Sequence, residues 1–174
     1  MTDASSPGSA DEHGVGEALL PRPDAVAVLR GLEARGWSIA AAESLTGGRV
    51  TAALVDVPGA SAHVRGGIVA YATDVKASRL GVDAELLAAR GPVDPDVAVQ
   101  MAQGVRGALR ADVGLATTGV AGPDPQGDKP VGTVHIAVAT PETVVVSSFA
   151  LSGSRDEIRT QSVQRVLELA LTVL

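Results

Sequence analysis

Apolar residues recur at helical spacing in some stretches of this chain, run together in short blocks in others, and the two patterns alternate. Ala25, Val28, Leu29 and Leu32 repeat every three to four residues and stop at Gly36, which predicts a helix capped by Asp24 after Pro23. The block 37–42 then reads as a buried strand, and 50–55 as a helix that Pro58-Gly59-Ala60-Ser61 closes. A second strand is predicted at 66–71, with Thr73-Asp74 as a cap, a short helix at 75–80 and another from Asp83 to Ala89. Asp94-Pro95-Asp96 opens a longer helix whose apolar face carries Val97, Met101, Val105 and Leu109; Pro95 suits its first turn, where a missing N–H costs nothing.

A third strand at 113–118 ends in the loop Gly119-Val120-Ala121-Gly122-Pro123. Two more, 131–139 and 143–151, are joined by Thr140-Pro141-Glu142, a link short enough to require an antiparallel hairpin. The last segment, 154–174, is a long helix with Ile158, Val163, Val166, Leu167 and Leu171 on one side. Such an order predicts an α/β fold: a three-layer α/β/α sandwich around a mixed, mostly parallel sheet of about five strands with one antiparallel member. Residues 1–22 show no apolar period and read as a disordered tail that includes His13, leaving 23–174 as one domain.

Composition narrows the classes of function. Hydrophobic residues make up 45% of the 174 and aromatics only 2%, so the core is built from Val, Ala and Leu. A net charge of −6 without a Lys/Arg cluster argues against nucleic acid as a partner, though not against a small phosphorylated ligand. With no Cys, thiolate catalysis, disulfides and Cys-zinc sites are excluded, and no carboxylate pair or His/Asp/Glu cluster suggests a metal. No signal peptide and no membrane-spanning run is visible, so a cytoplasmic protein without cofactor or membrane partner is expected; the Val/Ala-rich surfaces suggest a homo-oligomer.

In such a sheet, ligands gather at the carboxyl ends of the strands. Three loops fall there: Glu43-Ser44-Leu45-Thr46-Gly47-Gly48, Tyr71-Ala72-Thr73-Asp74-Val75-Lys76 and Thr117-Thr118-Gly119-Val120-Ala121-Gly122-Pro123. A serine at a strand-to-helix turn can be a nucleophile facing backbone N–H groups, but it needs a base. His63 and His135 fall away from those strand ends. Lysines are scarce: only Lys76 and Lys129 stand among cations that are otherwise Arg, which stays protonated. A partly buried Lys76 of lowered pKa can take the Ser44 proton, with Tyr71 relaying it or orienting the amine. Every one of these residues also has a plain structural reading. The Ser44 turn can be a helix cap, Lys76 a solvated side chain, Tyr71 a rim aromatic, Gly119 and Gly122 a tight turn, Glu43 the partner of a loop amide, and His135 a satisfied sheet residue.

Taken together, the three loops resemble the CinA C-terminal domain family, as do Lys129-Pro130-Val131-Gly132-Thr133-Val134 and Gly153-Ser154-Arg155-Asp156-Glu157-Ile158-Arg159. The motifs follow the family's order and span about 24–174. This resemblance implies a stand-alone nicotinamide-nucleotide amidase, which converts nicotinamide mononucleotide to nicotinate mononucleotide and ammonia in pyridine-nucleotide recycling. It implies a Ser–Lys mechanism with a nearby Tyr, roles that fall on Ser44, Lys76 and Tyr71. Substrate contacts are expected from Glu43, Thr46, Gly47, Gly48, Thr118, Gly119 and Gly122, with the oxyanion on backbone N–H groups near Thr46-Gly47-Gly48 and the phosphate on the Gly119–Gly122 loop or a helix N-terminus.

The chain departs from the family pattern in several places. Leu45 stands where the family often has Cys, and Tyr71-Ala72-Thr73-Asp74 replaces a more typical Tyr-Ser-Asn-Glu. The insert Asp124-Pro125-Gln126-Gly127-Asp128 is less glycine-rich than usual. The N-terminal domain of longer CinA proteins is not found in this sequence, and its pyrophosphatase activity is not carried over. The alternatives are a non-catalytic nucleotide-binding or competence/DNA-damage-associated protein, and an amidase for another small amide.

Overall fold

Five short apolar runs pair into one sheet in this computed structural model, which describes residues 20–174; residues 1–19 of the expected tail, His13 among them, lie outside the described residues. The elements are α1 (Pro23–Arg35), β1 (Ile39–Glu43), α2 (Arg49–Val55), β2 (Val64–Val69), α3 (Thr73–Leu80), α4 (Ala84–Arg90), α5 (Pro95–Leu109), β3 (Val113–Gly119), β4 (Thr133–Ala139), β5 (Val144–Ala150) and α6 (Arg155–Leu171). Strand order is β2-β1-β3-β4-β5. The pairs β2/β1 and β1/β3 are parallel, and β3/β4 and β4/β5 antiparallel, so β4 alone runs against the other four strands. The fold is α/β with a mixed five-stranded sheet, as the alternation of periods predicts.

Period-2 geometry sends alternate strand residues to opposite faces. Ile39, Ala41, Val113, Leu115, Val134, Ile136 and Val138 face α1, α2 and α6, whereas Ala40, Ala42, Ala116, Ala137 and Ala139 face α3, α4 and α5. The second face is almost entirely alanine, with Gly114 among them. This lets α5 sit close: a Cβ on Gly114 would lie 2.0 Å from the Ala102 carbonyl oxygen, and one on Gly104 would lie 1.8 Å from that of Leu80. Glycine at 104 therefore lets α5 press against the C-terminal end of α3, the helix that carries Lys76.

Several boundaries shift from the sequence expectation for local reasons. β1 begins at Ile39, since the Trp37 amide is spent on Leu32 carbonyl and Ser38 on the Asp112 carboxylate. β2 ends at Val69, so Tyr71 lies beyond the strand. α1 starts at Pro23 with Arg22 as N-cap, which places Asp24 inside the first turn, and Ala72 precedes α3 without a side-chain cap. In α6 the buried stripe runs through Ile158, Val163, Val166, Leu167 and Ala170, leaving Leu171 exposed. No helix among the described residues is long and apolar enough to cross a membrane.

A paired glycine test follows from α5. Gly104→Ala is expected to destabilise by about 2–4 kcal/mol, because the clash is with backbone that cannot move aside. Gly107→Ala on the same helix, where an added Cβ meets nothing within 4 Å, is expected to gain up to about 1 kcal/mol. Urea denaturation of both variants checks the difference.

Candidate active site

Parallel strands β1, β2 and β3 end side by side, and a cleft of about 210 Å³ lies at their carboxyl ends. Ser44, Leu45, Tyr71, Lys76, Thr118, Gly119 and Arg155 line it, with Pro92, Val93, Ala121 and Gln126. Ser44 follows the last residue of β1; its amide donates to the Thr117 carbonyl, which continues the β1/β3 ladder and fixes the side chain's origin.

Lys76 is the largest fully buried side chain, 1% exposed. Its Nζ lies 3.0 Å from Ser44 Oγ, 2.7 Å from the Ala70 carbonyl and 3.3 Å from the Tyr71 carbonyl. Burial pushes the amine down to about 8 from 10.5. The two carbonyls can only accept. An unprotonated Lys76 therefore gives its two N–H bonds to Ala70 and Tyr71, and its lone pair is left facing the Ser44 hydroxyl.

The turn after Ser44 is held by a second buried polar side chain. Glu43, fully buried, accepts through Oε2 from the amides of Gly48 and Val50 and through Oε1 from the amide and hydroxyl of Thr51. Its carboxylate thus occupies the positive N-terminal end of α2, where orphan N–H groups collect. Ser44 is not the cap of this helix. The Thr46 hydroxyl is also buried and meets Thr117 Oγ1 at 2.7 Å.

The expected substrate contacts thus divide in two. Thr118 and Gly119 line the cleft, the Thr118 hydroxyl donating to the Pro92 carbonyl at 2.6 Å. The side chains of Glu43 and Thr46 instead face protein partners, and Thr46, Gly47, Gly48 and Gly122 stand outside the cleft lining. The amides expected to hold an oxyanion are partly spent: Gly47 N–H donates to the Ser44 carbonyl and Gly48 N–H to Glu43. Leu45 and Thr46 amides meet no acceptor among the described residues, which moves the free donors to positions immediately after the serine.

Tyr71 also differs from expectation. Its carbonyl, not its phenol, touches Lys76; the residue is 61% exposed and its hydroxyl accepts from Arg155 at 3.3 Å. Arg155 in turn donates to the Gly122 carbonyl at 2.6 Å, while the Val120 amide is spent on Thr133. The Gly119–Gly122 loop therefore anchors an arginine at the cleft. Sequence reasoning names Arg155 within the 153–159 motif without assigning it a role; Ser154 and Glu157 form the capping box that sets it at the first residue of α6. Pro92 and Val93, from the segment between α4 and α5, had no local signal. His63 bonds the Trp37 carbonyl and His135 bonds Ser148, and neither lines the cleft.

Both the sequence and the fold have known relatives. The CinA C-terminal domain family matches residues 23–174. A CinA-like protein of Frankia casuarinae is 56% identical over 147 residues, covering 84% of this chain and 34% of that protein. A CinA-like protein of Gloeobacter violaceus is 45% identical, covering 91% of this chain and 37% of its own length. Among solved structures, the competence/damage inducible protein CihA from Agrobacterium tumefaciens superposes with a TM-score of 0.81 at 36% identity, over 88% of this chain and 98% of that one. The chain spans about a third of the length of the curated relatives it matches.

Glu43→Ala is expected to destabilise by about 3 kcal/mol or more, because four donors at the start of α2 lose their acceptor. Equal urea midpoints for the variant and the wild type would contradict this account of the turn.

Proposed function

The chain belongs to the CinA C-terminal domain family, and within it we propose an amidohydrolase that converts nicotinamide mononucleotide to nicotinate mononucleotide and ammonia. The observation that carries the reading is the buried Lys76 amine, lowered to about 8, at 3.0 Å from Ser44 Oγ. Hydroxyl and base are already within proton-transfer reach, and among the described residues Ser44 Oγ is the one hydroxyl bonded to the amine.

In this mechanism Lys76 takes the Ser44 proton as Oγ attacks the carboxamide carbon. The free amide of Leu45, which lines the cleft, receives the developing oxyanion, joined by that of Thr46 one peptide further along the turn; one such donor is worth about 3–4 kcal/mol in serine hydrolases. The tetrahedral intermediate collapses by breaking the C–N bond, and the Lys76 ammonium returns its proton to the leaving nitrogen, which departs as ammonia. Water, deprotonated by the same amine, then cleaves the acyl–Ser44 ester, releases the carboxylate and restores the hydroxyl. Arg155, at the rim with the Tyr71 hydroxyl, suits the anionic phosphate end of the substrate.

A second reading rests on names. Solved relatives are named competence or damage-inducible proteins, in keeping with the alternative of a competence- or DNA-damage-associated protein that holds a nucleotide without catalysis. Ammonia release from nicotinamide mononucleotide separates the two. Ser44→Ala and Lys76→Ala are each expected to lower turnover by about 10³-fold or more; undiminished turnover in Ser44→Ala sinks the covalent route. Tight nucleotide binding without ammonia release in the wild type supports the second reading.

The pH dependence has a definite sign. Lys76 must be unprotonated to act, so kcat/KM should rise tenfold per pH unit below about 8 and level off above it. At pH 6 about a hundredth of the plateau should remain. Lys76→Arg should not rescue activity, since a guanidinium keeps its proton. A flat profile between pH 6 and 9 would remove Lys76 as the base.

A further inference from the structure

Arg159 carries an arrangement that the mechanism has not used. It sits one turn into α6, behind the Ser44 turn. Unlike Arg49, which pairs with Asp156 at 2.6 Å, it forms no ion pair among the described residues. Its guanidinium donates from Nε to the Leu45 carbonyl at 2.9 Å and from Nη2 to the Thr46 carbonyl at 3.0 Å. Gly47 lies under the same group: a Cβ there would stand 3.1 Å from Nη2, and its φ of +59° suits glycine.

A peptide unit is planar and trans, so its N–H points away from its own carbonyl. When Arg159 holds the Leu45 carbonyl, the Thr46 N–H must point away from the guanidinium, and that N–H has no protein acceptor among the described residues. With the Thr46 carbonyl held as well, the Gly47 N–H turns back onto the Ser44 carbonyl at 3.2 Å. The Ser44 carbonyl shares its peptide plane with the Leu45 N–H, so the second free donor is fixed through the same chain of bonds. A cation on a carbonyl also polarises its amide, making the opposed N–H a stronger donor.

We infer that Arg159 is a positioning residue for the oxyanion site: by holding the Leu45 and Thr46 carbonyls it aims and strengthens the two amides that meet the tetrahedral intermediate. The inference rests on the amidase reading. Charge reaches the substrate oxygen only in the transition state, so a misaimed amide slows turnover while leaving the binding of substrate and product almost unchanged. A brace that merely held α6 in place would affect binding and turnover together.

The test compares the wild type with Arg159→Met and Arg159→Lys. It measures ammonia release from nicotinamide mononucleotide, inhibition by the product nicotinate mononucleotide, and affinity for pyridine-3-boronic acid, which forms a tetrahedral adduct on a nucleophilic serine. For Arg159→Met, kcat and boronate affinity are expected to fall together by about ten- to a hundredfold. KM and product inhibition should stay within about threefold, and the midpoint of the pH profile should stay near the wild-type value. Arg159→Lys keeps the stem and charge but has a single donor head that cannot span two carbonyls, so its loss should be intermediate. Should Arg159→Met fail to fold, Arg159→Lys decides on the same readouts. Unchanged kcat and boronate affinity overturn the inference, as does a proportional loss of product affinity. A wild type that binds the boronic acid but releases no ammonia corrects the substrate and leaves Arg159 to be judged on boronate affinity; a wild type that does neither sinks the amidase reading and the inference with it.

Discussion

The position of one buried amine constrains the whole upper edge of this sheet. Lys76 is 1% exposed and, among the described residues, has no carboxylate beside it, only two carbonyls and a hydroxyl. Burying a charge in such surroundings is costly, and the amine responds by giving up its proton more readily. Three elements must meet for this to hold: β2 supplies the chain that turns at Ala70 and Tyr71, α3 carries the lysine, and β1 delivers Ser44. The alanine-rich face of the sheet and the glycine at 104 let α5 approach closely enough to hold α3 in place.

Around the serine, the division of labour is between side chains that face inward and backbone that faces the cleft. Glu43 gathers the donors at the start of α2, Arg159 gathers the acceptors of the turn, and Thr46 ties the turn to β3. With the inward-facing donors and acceptors satisfied, two amides are left over next to Ser44. A flexible glycine turn by itself would scatter those amides; a turn fixed from both sides presents them at no further ordering cost when charge develops.

Much of this was legible in the residues, and the exceptions have physical causes. Helical spacing marked the helices, which bury one face, short apolar blocks marked the strands, three of which are buried on both faces, and the rule that ligands gather at strand carboxyl ends placed the three loops on one edge. The scarcity of lysine pointed to Lys76 before any contact was visible. Glu43 was harder: a carboxylate next to a serine reads as a ligand contact or as the partner of a loop amide, and its complete burial with four donors at the start of α2 decides. Tyr71 shows a similar limit, since sequence identifies the phenol but not that the backbone carbonyl of the same residue does the orienting. Arg155 and Arg159 lie more than a hundred residues after Ser44 on the last helix, and the meeting of the first with Tyr71 and Gly122 and of the second with the turn is set by how α6 packs across β4 and β3, a tertiary fact that local spacing does not carry.

Leu45 shows why a departure from the family pattern can sit beside the nucleophile. Its side chain is 3% exposed and belongs to the apolar cluster beneath α1, α2 and α6, so its identity is a question of core volume. Its main chain belongs to the cleft, where the amide is free and the carbonyl is held by Arg159. A position whose side chain packs and whose backbone binds can exchange one apolar side chain for another while the peptide planes on either side keep their direction. What the turn cannot exchange as freely are the groups that fix those planes: the carboxylate of Glu43, the guanidinium of Arg159 and the left-handed glycines at 47 and 48.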